Sequence, residues 1–295
     1  MVYSCFLFIF MEVGVNWTLS IQSFLDHTGE PIEFVSPASI LQTEEYQLVL
    51  DGGEGVFKFD SKGMLIEKVF EIGQGPKEIA PRTSFMMLQD GHVLLVADTF
   101  NGRIQWYDLK TRTYDTKKTS AMNFVVNGIE TGDSLWFGGI NSVFKLDSKG
   151  NITHIPFSND FQSINLVGFD PKGRLIAVSM ITSEEVNELP LFSGFEDGSA
   201  QTHFLEFEKT KEIETWANRV RLPLLLTGMI SYGENCIFST KVCNREKEGL
   251  LLIQRDMDRQ LAPYYLKDIE LPILFHGNKK NYLIDSVNST IYLVE

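Results

Sequence analysis

The residues of this chain best suited to chemistry are short acids and amides placed at turns. Asp98 and Asn101 stand three apart between two strand-like runs, as do Asp285 and Asn288. Side chains of this length hydrogen-bond the backbone around them and tolerate positive φ, which is reason enough for their presence. A ligand role for Asp98 and Asn101 stays open beside that, because in the fold argued below this turn faces the mouth of a central channel. Gly73-Gln74-Gly75-Pro76 has glycines like those of a phosphate cradle. It lacks the longer glycine spacing, the Lys-Ser or Lys-Thr and the helix start that such a cradle needs, so it reads as a connecting loop. Asp51-Gly52-Gly53-Glu54-Gly55 reads as a hairpin turn.

Metal and nucleophile signals are thin. His27, His92, His154, His203 and His276 are far apart, with no His-x-x-x-His or Cys-x-x-Cys spacing. Three cysteines, Cys5, Cys236 and Cys243, exclude a disulfide framework. Cys236 and Cys243 could oppose each other across a hairpin; two separate buried thiols are the preferred reading.

The segment 182–201 (TSEEVNELPLFSGFEDGSAQ) reads as an insertion with five acids and an apolar tip, Leu189–Phe195. Long loops in compact domains carry function or are disordered. Leu191, Phe192 and Phe195 between acidic flanks are therefore the first candidates to grip a partner or a sugar ring. The plain alternative is a loop that tucks its aromatics onto its own sheet. The hairpin Lys241–Glu248 (KVCNREKE) is expected beside it, adding Arg245 and Lys247.

The chain has 295 residues, of which 39 are acidic and 26 basic, for a formal charge of −13. A phosphate backbone must be neutralised by clustered Lys and Arg, so nucleic acid and an anionic membrane are poor partners. Residues 1–15 hold an apolar run, Cys5–Met11, too short to span a bilayer and read as the remnant of a secretion signal. Residues 16–295 read as one domain.

These residues need a scaffold, and a near-repeat supplies it. VFKFDSKG at Val56–Gly63 returns as VFKLDSKG at Val143–Gly150, an interval of two units whose size of about 40 to 48 residues belongs to propeller blades. With the repeat as a ruler, third strands are expected to start at Val56, Ile104, Val143, Phe204, Leu252 and Ile291, with steps of 48, 39, 61, 48 and 39 by subtraction. Each is preceded by another β-rich run, and no convincing amphipathic helix interrupts the series. The expected fold is all-β, a six-bladed propeller of four-stranded antiparallel blades. The sixth unit stops short of its outermost strand, which Trp17–Leu25 is expected to supply, closing the ring; Pro31–Val35 is the alternative.

Val93–Leu109 reads VLLVADTFNGRIQWYDL and resembles the NHL-repeat pattern of a strand, Asp-x-x-Asn-x-Arg-Ile, and a strand ending in Asp. Ile72–Pro81 (IGQGPKEIAP) is similar to the Gly-x-Gly-Pro-Gly-Glu-Phe stretch preceding a blade in six-bladed propellers of Bacteroidetes-type bacteria. Lys77 departs from that pattern at the glycine that follows its proline, and Thr290 stands where Arg103 would correspond. The resemblance implies export and a ligand or partner surface more than catalysis. Propeller enzymes shaped like lactonases hold calcium with acids and amides from several blades. By that likeness Asn127, Asn165, Asp170 and Asn235 are candidates, set against ordinary turn hydrogen bonding; no metal or other cofactor is assigned.

The expectation is a monomeric, extracytoplasmic recognition propeller, periplasmic or at the cell surface, without a membrane-spanning segment. It binds a protein, peptide or glycan through the face carrying 182–201. The alternative is a lactonase-like hydrolase or a glycan lyase with a polar or metal site at the channel.

Overall fold

Leu48, Val49 and Leu50 are all fully buried, because successive side chains of one strand leave opposite faces of the sheet and both faces here are covered. In the computed structural model, Leu48 and Leu50 pack with Leu94, Val96 and Tyr107 on one side. Val49, Phe57 and Phe59 pack with Tyr282, Ile284 and Ile291 on the other. A one-residue slip of Tyr46–Asp51 would exchange the two faces, so register is held by both neighbours.

The structure describes residues 6–10, 15–83, 85–119, 125, 127–132, 134–139, 142–156, 165–179, 188–194, 201–207, 226–232, 234–243, 249–254, 260–266, 268–269, 272–276, 280–285 and 287–294. They fall into two units, 1–118 with 273–295, and 119–272.

The first unit holds three sheets. One runs Pro37–Gln42, Tyr46–Asp51, Gly55–Asp60 and Leu65–Ile72, with the short Glu78–Ile79 parallel to the last. The next runs Met86–Gln89, Val93–Asp98, Arg103–Asp108 and Tyr114–Lys118. The third joins Pro272–His276, Asn281–Asp285 and Thr290–Val294 to Val15–Ile21. The expected closing strand is thus in place: Leu19, Ser20 and Ile21 pair antiparallel with Val294, Leu293 and Tyr292. It ends at Ile21; Leu25 donates instead to Gly63 O at 2.8 Å. Phe6–Phe10, inside the segment read as a signal remnant, pairs with Val15–Leu19 as a fifth strand.

The second unit holds a four-stranded sheet, Asn127–Thr131, Ser134–Gly139, Ser142–Asp147 and Ile152–Pro156. Its other sheet has eight strands. Asn165–Phe169, Leu175–Ser179, Glu188–Ser193 and Gln201–Phe207 join Leu226–Tyr232, Asn235–Cys243, Gly249–Gln254 and Gln260–Leu266 through a parallel pairing of Glu206 with Gln260.

The repeat is scaffold in both units. Asp60 accepts the Lys62 and Met64 N–H groups at 2.8 and 2.9 Å, and Asp147 those of Lys149 and Asn151 at 3.0 and 2.7 Å. The glycines that follow, Gly63 and Gly150, take φ of 84° and 78°, which a side chain would resist. Lys58 lies over the Tyr46 ring and Lys145 over Trp136, at 4.7 and 5.1 Å from the centroids.

Two expectations are corrected. Phe204 lies in the fourth strand of its sheet; the third is Glu188–Ser193, where Pro190 pairs with Phe204. Five third strands are as expected, and the steps between third-strand starts become 48, 39, 46, 61 and 41. The long step therefore moves to the stretch containing 208–225, outside the described residues, and Leu189–Ser193 is strand. Cys236 and Cys243 share one strand, opposite Gln254 and Gly249, so they do not face each other across a hairpin.

Candidate functional site

Each sheet of the first unit ends its second strand in a fully buried aspartate: Asp51, Asp98 and Asp285. A buried carboxylate needs donors, and the following turn and the preceding linker supply them. Asp51 accepts the N–H groups of Val35, Ser36 and Gly53 at 2.7, 2.9 and 2.7 Å. Asp98 accepts from Ala80 N, Asn101 Nδ2, Arg103 Nε and Gln105 Nε2, at 2.8 to 3.0 Å. Asp285 accepts from Val287 N, Asn288 N and Asn288 Nδ2 at 3.1, 3.3 and 2.7 Å. Asn101 and Asn288 do the same work three residues after their acids.

The glycine loop is held from within. Arg103 donates to the carbonyls of Gln74, Gly75 and Glu78, while Glu78 Oε2 accepts Gly75 N at 2.6 Å. The loop closes on protein groups.

What these staples leave outside is apolar. Val35 is 63% exposed, Phe100 54% and Val287 47%, and each sits on or beside one of the stapled turns. Ser289 Oγ donates to Val35 O at 3.4 Å, Gly52 N to Ser36 O at 2.8 Å, and Arg82 N to Gly52 O at 2.9 Å. Ala80, two residues from Arg82, is tied to Asp98, two residues from Phe100. Val287, Val35, Arg82 and Phe100 therefore follow one another along the end of the first unit that bears the second-to-third-strand turns.

A family model described as 6-bladed beta-propeller matches residues 17–173, more than half of the chain. The chain belongs to that family. No curated protein sequence matches it. Virginiamycin B lyase from Staphylococcus aureus superposes on the propeller with a TM-score of 0.60 at 11% identity, covering 99% of this chain and 94% of that one. Protein BF0058 of Bacteroides fragilis NCTC 9343 gives 0.58 at 12% identity and 95% of both chains. The extracellular domain of BT4673 from B. thetaiotaomicron gives 0.58 at 11%, over 92% of this chain and 39% of that one. At these identities the likeness is one of fold.

Within the propeller, Asp98 and Asn101 come together, but as a staple: Asp98 is fully buried and its oxygens are taken up by protein donors. A direct ligand contact from Asp98 is thereby corrected. Leu191 is corrected too, being 3% exposed and packed with Leu166, Ile176, Val178 and Leu205. Phe192 lies in the same strand, opposite Ala177. Phe195, Arg245 and Lys247 lie outside the described residues. Leu175–Ser179 and Asn235–Cys243 run parallel in their shared sheet, so Ser179 and Cys243 finish their strands at the same end of it.

The candidate calcium residues have local work. Asn127 presents its amide to the Val167 peptide, Nδ2 to O at 2.6 Å and N to Oδ1 at 3.0 Å. Asp170 accepts Lys172 N, Arg174 N and Arg174 Nε. Among the described residues no three His, Cys, Asp or Glu side chains are grouped to hold a metal ion. No helix among them is long and apolar enough to cross a membrane.

The apolar trio escaped the sequence reading. Phe100 and Val287 had one signal, an apolar residue two positions after the turn acid in DTFN and DSVN; Val35, sixteen positions before Asp51, had none.

Proposed function

We propose that this propeller is an extracytoplasmic recognition module that binds a protein, peptide or glycan through the end bearing the second-to-third-strand turns. The observation that carries the reading is the exposure of Val35, Phe100 and Val287 on turns fixed by buried aspartates. Apolar side chains held outward on a stiff frame lose little freedom on binding and gain by leaving water. An extracytoplasmic setting is supported by the fold likeness to an extracellular domain.

Photo-crosslinking amino acids at Phe100 and Val287, compared with Lys62 and Lys149 in third-to-fourth-strand turns, test the reading in native cells. One defined adduct from the first pair alone is expected. Adducts from both pairs, or from neither, overturn the proposal.

A further inference from the structure

Arg82 is exposed, and among the described residues its guanidinium has no ion pair or hydrogen bond. It is held there against the preference of its backbone, with φ of 67°. Its N–H is tied to Gly52 O, and a Cβ on Gly52 would lie 3.5 Å from Arg82 Cα. A Cβ on Gly53 would meet Val35 Cγ1 at 3.0 Å. Two glycines thus leave the ground between Val35 and Arg82 without side chains. The nearby carboxylate of Glu54 is already engaged by Lys68 at 3.4 Å.

We infer that the turn end of the first unit binds an extended acidic peptide segment of a partner protein, with a partner carboxylate on Arg82 and apolar side chains against Val35, Val287 and Phe100. This rests on the recognition reading above and names its ligand. The aliphatic Val35 and Val287 offer no ring face for a sugar to stack on, but they suit leucine- or phenylalanine-type side chains. One guanidinium recognises one carboxylate well and is too little for a phosphate backbone. Charge also selects the end. Among the described residues, the opposite turns of the same unit carry Asp26, Glu30, Glu44, Glu45, Asp60, Asp90 and Asp108 against Lys62, Lys110, Arg112 and Lys280, so an acidic segment is disfavoured there.

The test is fluorescence anisotropy of the full chain with short synthetic peptides alternating Glu with Leu and Phe, beside versions with Gln or Lys in place of Glu. The Glu peptides are expected to bind, with salt weakening them. Arg82→Glu should lower their affinity by about tenfold or more and turn the preference toward the Lys peptides. Arg82→Gly controls for folding: glycine suits the φ there, so its Tm should be no lower than that of the parent while Glu-peptide binding falls. Equal binding of Glu and Gln peptides, unchanged binding by Arg82→Glu, or no binding by any set overturns the inference. A Phe100 and Val287 crosslink that survives Arg82→Glu would remove the carboxylate and keep the binding end; loss of the crosslink from the unsubstituted chain removes both.

Discussion

Arg103 Nε donates to Asp98 Oδ2 at 2.8 Å, and through this one ion pair carbonyls and an N–H of the segment entering the second blade are gripped together. Arg103 Nη2 takes the Glu78 carbonyl at 2.7 Å while Asp98 Oδ1 takes the Ala80 N–H at 2.9 Å. The pair acts as a strand edge made of side chains.

Asp98→Ala and Arg103→Ala should therefore each cost about 3–5 kcal/mol, since removing one partner strands the other and orphans the backbone groups. Arg103→Lys should lose less, because a lysine can still neutralise Asp98 but cannot reach several carbonyls at once. Urea unfolding followed by Trp fluorescence measures this. Losses under about 1 kcal/mol for both alanine variants would contradict the staple.

Asp51 holds three N–H groups with no cation beside them among the described residues. Asp51→Ala is expected to cost about 3 kcal/mol through those orphaned donors. Hydrogen exchange should localise the effect, with faster exchange at Val35, Ser36 and Gly53. Uniform acceleration across the chain would instead indicate global loosening.

Acid should weaken the fold partly through Asp147. The Asn151 side chain, then the Asn151 and Lys149 N–H groups, hold its carboxyl below the ordinary 3.8. A folded value below the unfolded one means that the stabilisation is present above 3.8 and is lost as pH falls through 3.8 and the lower folded value. Trp136, in the same sheet, can report it: Asp147→Asn should show a shallower decline in stability between about pH 5 and pH 2. An unchanged slope would refute the contribution.

Burial pushes the Cys236 thiol up to about 11, against a smaller opposing effect of the Ser231 hydroxyl. At pH 8 the native thiol should be nearly inert to alkylating reagents and react freely once the chain is unfolded. Peptide mapping after a timed alkylation reads Cys236 directly. Rapid labelling in the native state would mean that the blade opens locally.

Much of this fold was legible because its determinants are local. The acid closing a third strand caps its own turn at Asp60, Asp108 and Asp147, within four residues, so the repeat could be used as a ruler. The ruler slipped in the fourth blade, where FLEFE has the look of a third strand and Pro190 disguises the true one; only pairing across strands separates them. The site was less legible for the same reason. Asp51 bonds to Val35 and Ser36 across fifteen or sixteen positions, and the exposure of Phe100 or the burial of Leu191 depends on what neighbouring strands cover. Glycine and acid patterns announce turns, while the surface that those turns present is decided by packing.

The pairing of Leu19 with Val294 sets a schedule for the chain as it is made. Val15–Ile21 is made well before its partner Thr290–Val294, so while the blades between them are synthesised the edge that Thr290–Val294 will take waits unclaimed. Because so long a loop must close before that contact can form, it belongs to the end of folding and is slow to replace once lost. Premature termination anywhere before Thr290 would leave two unpaired edges at once, and such fragments should be recognised by quality control through their stickiness rather than through any missing activity.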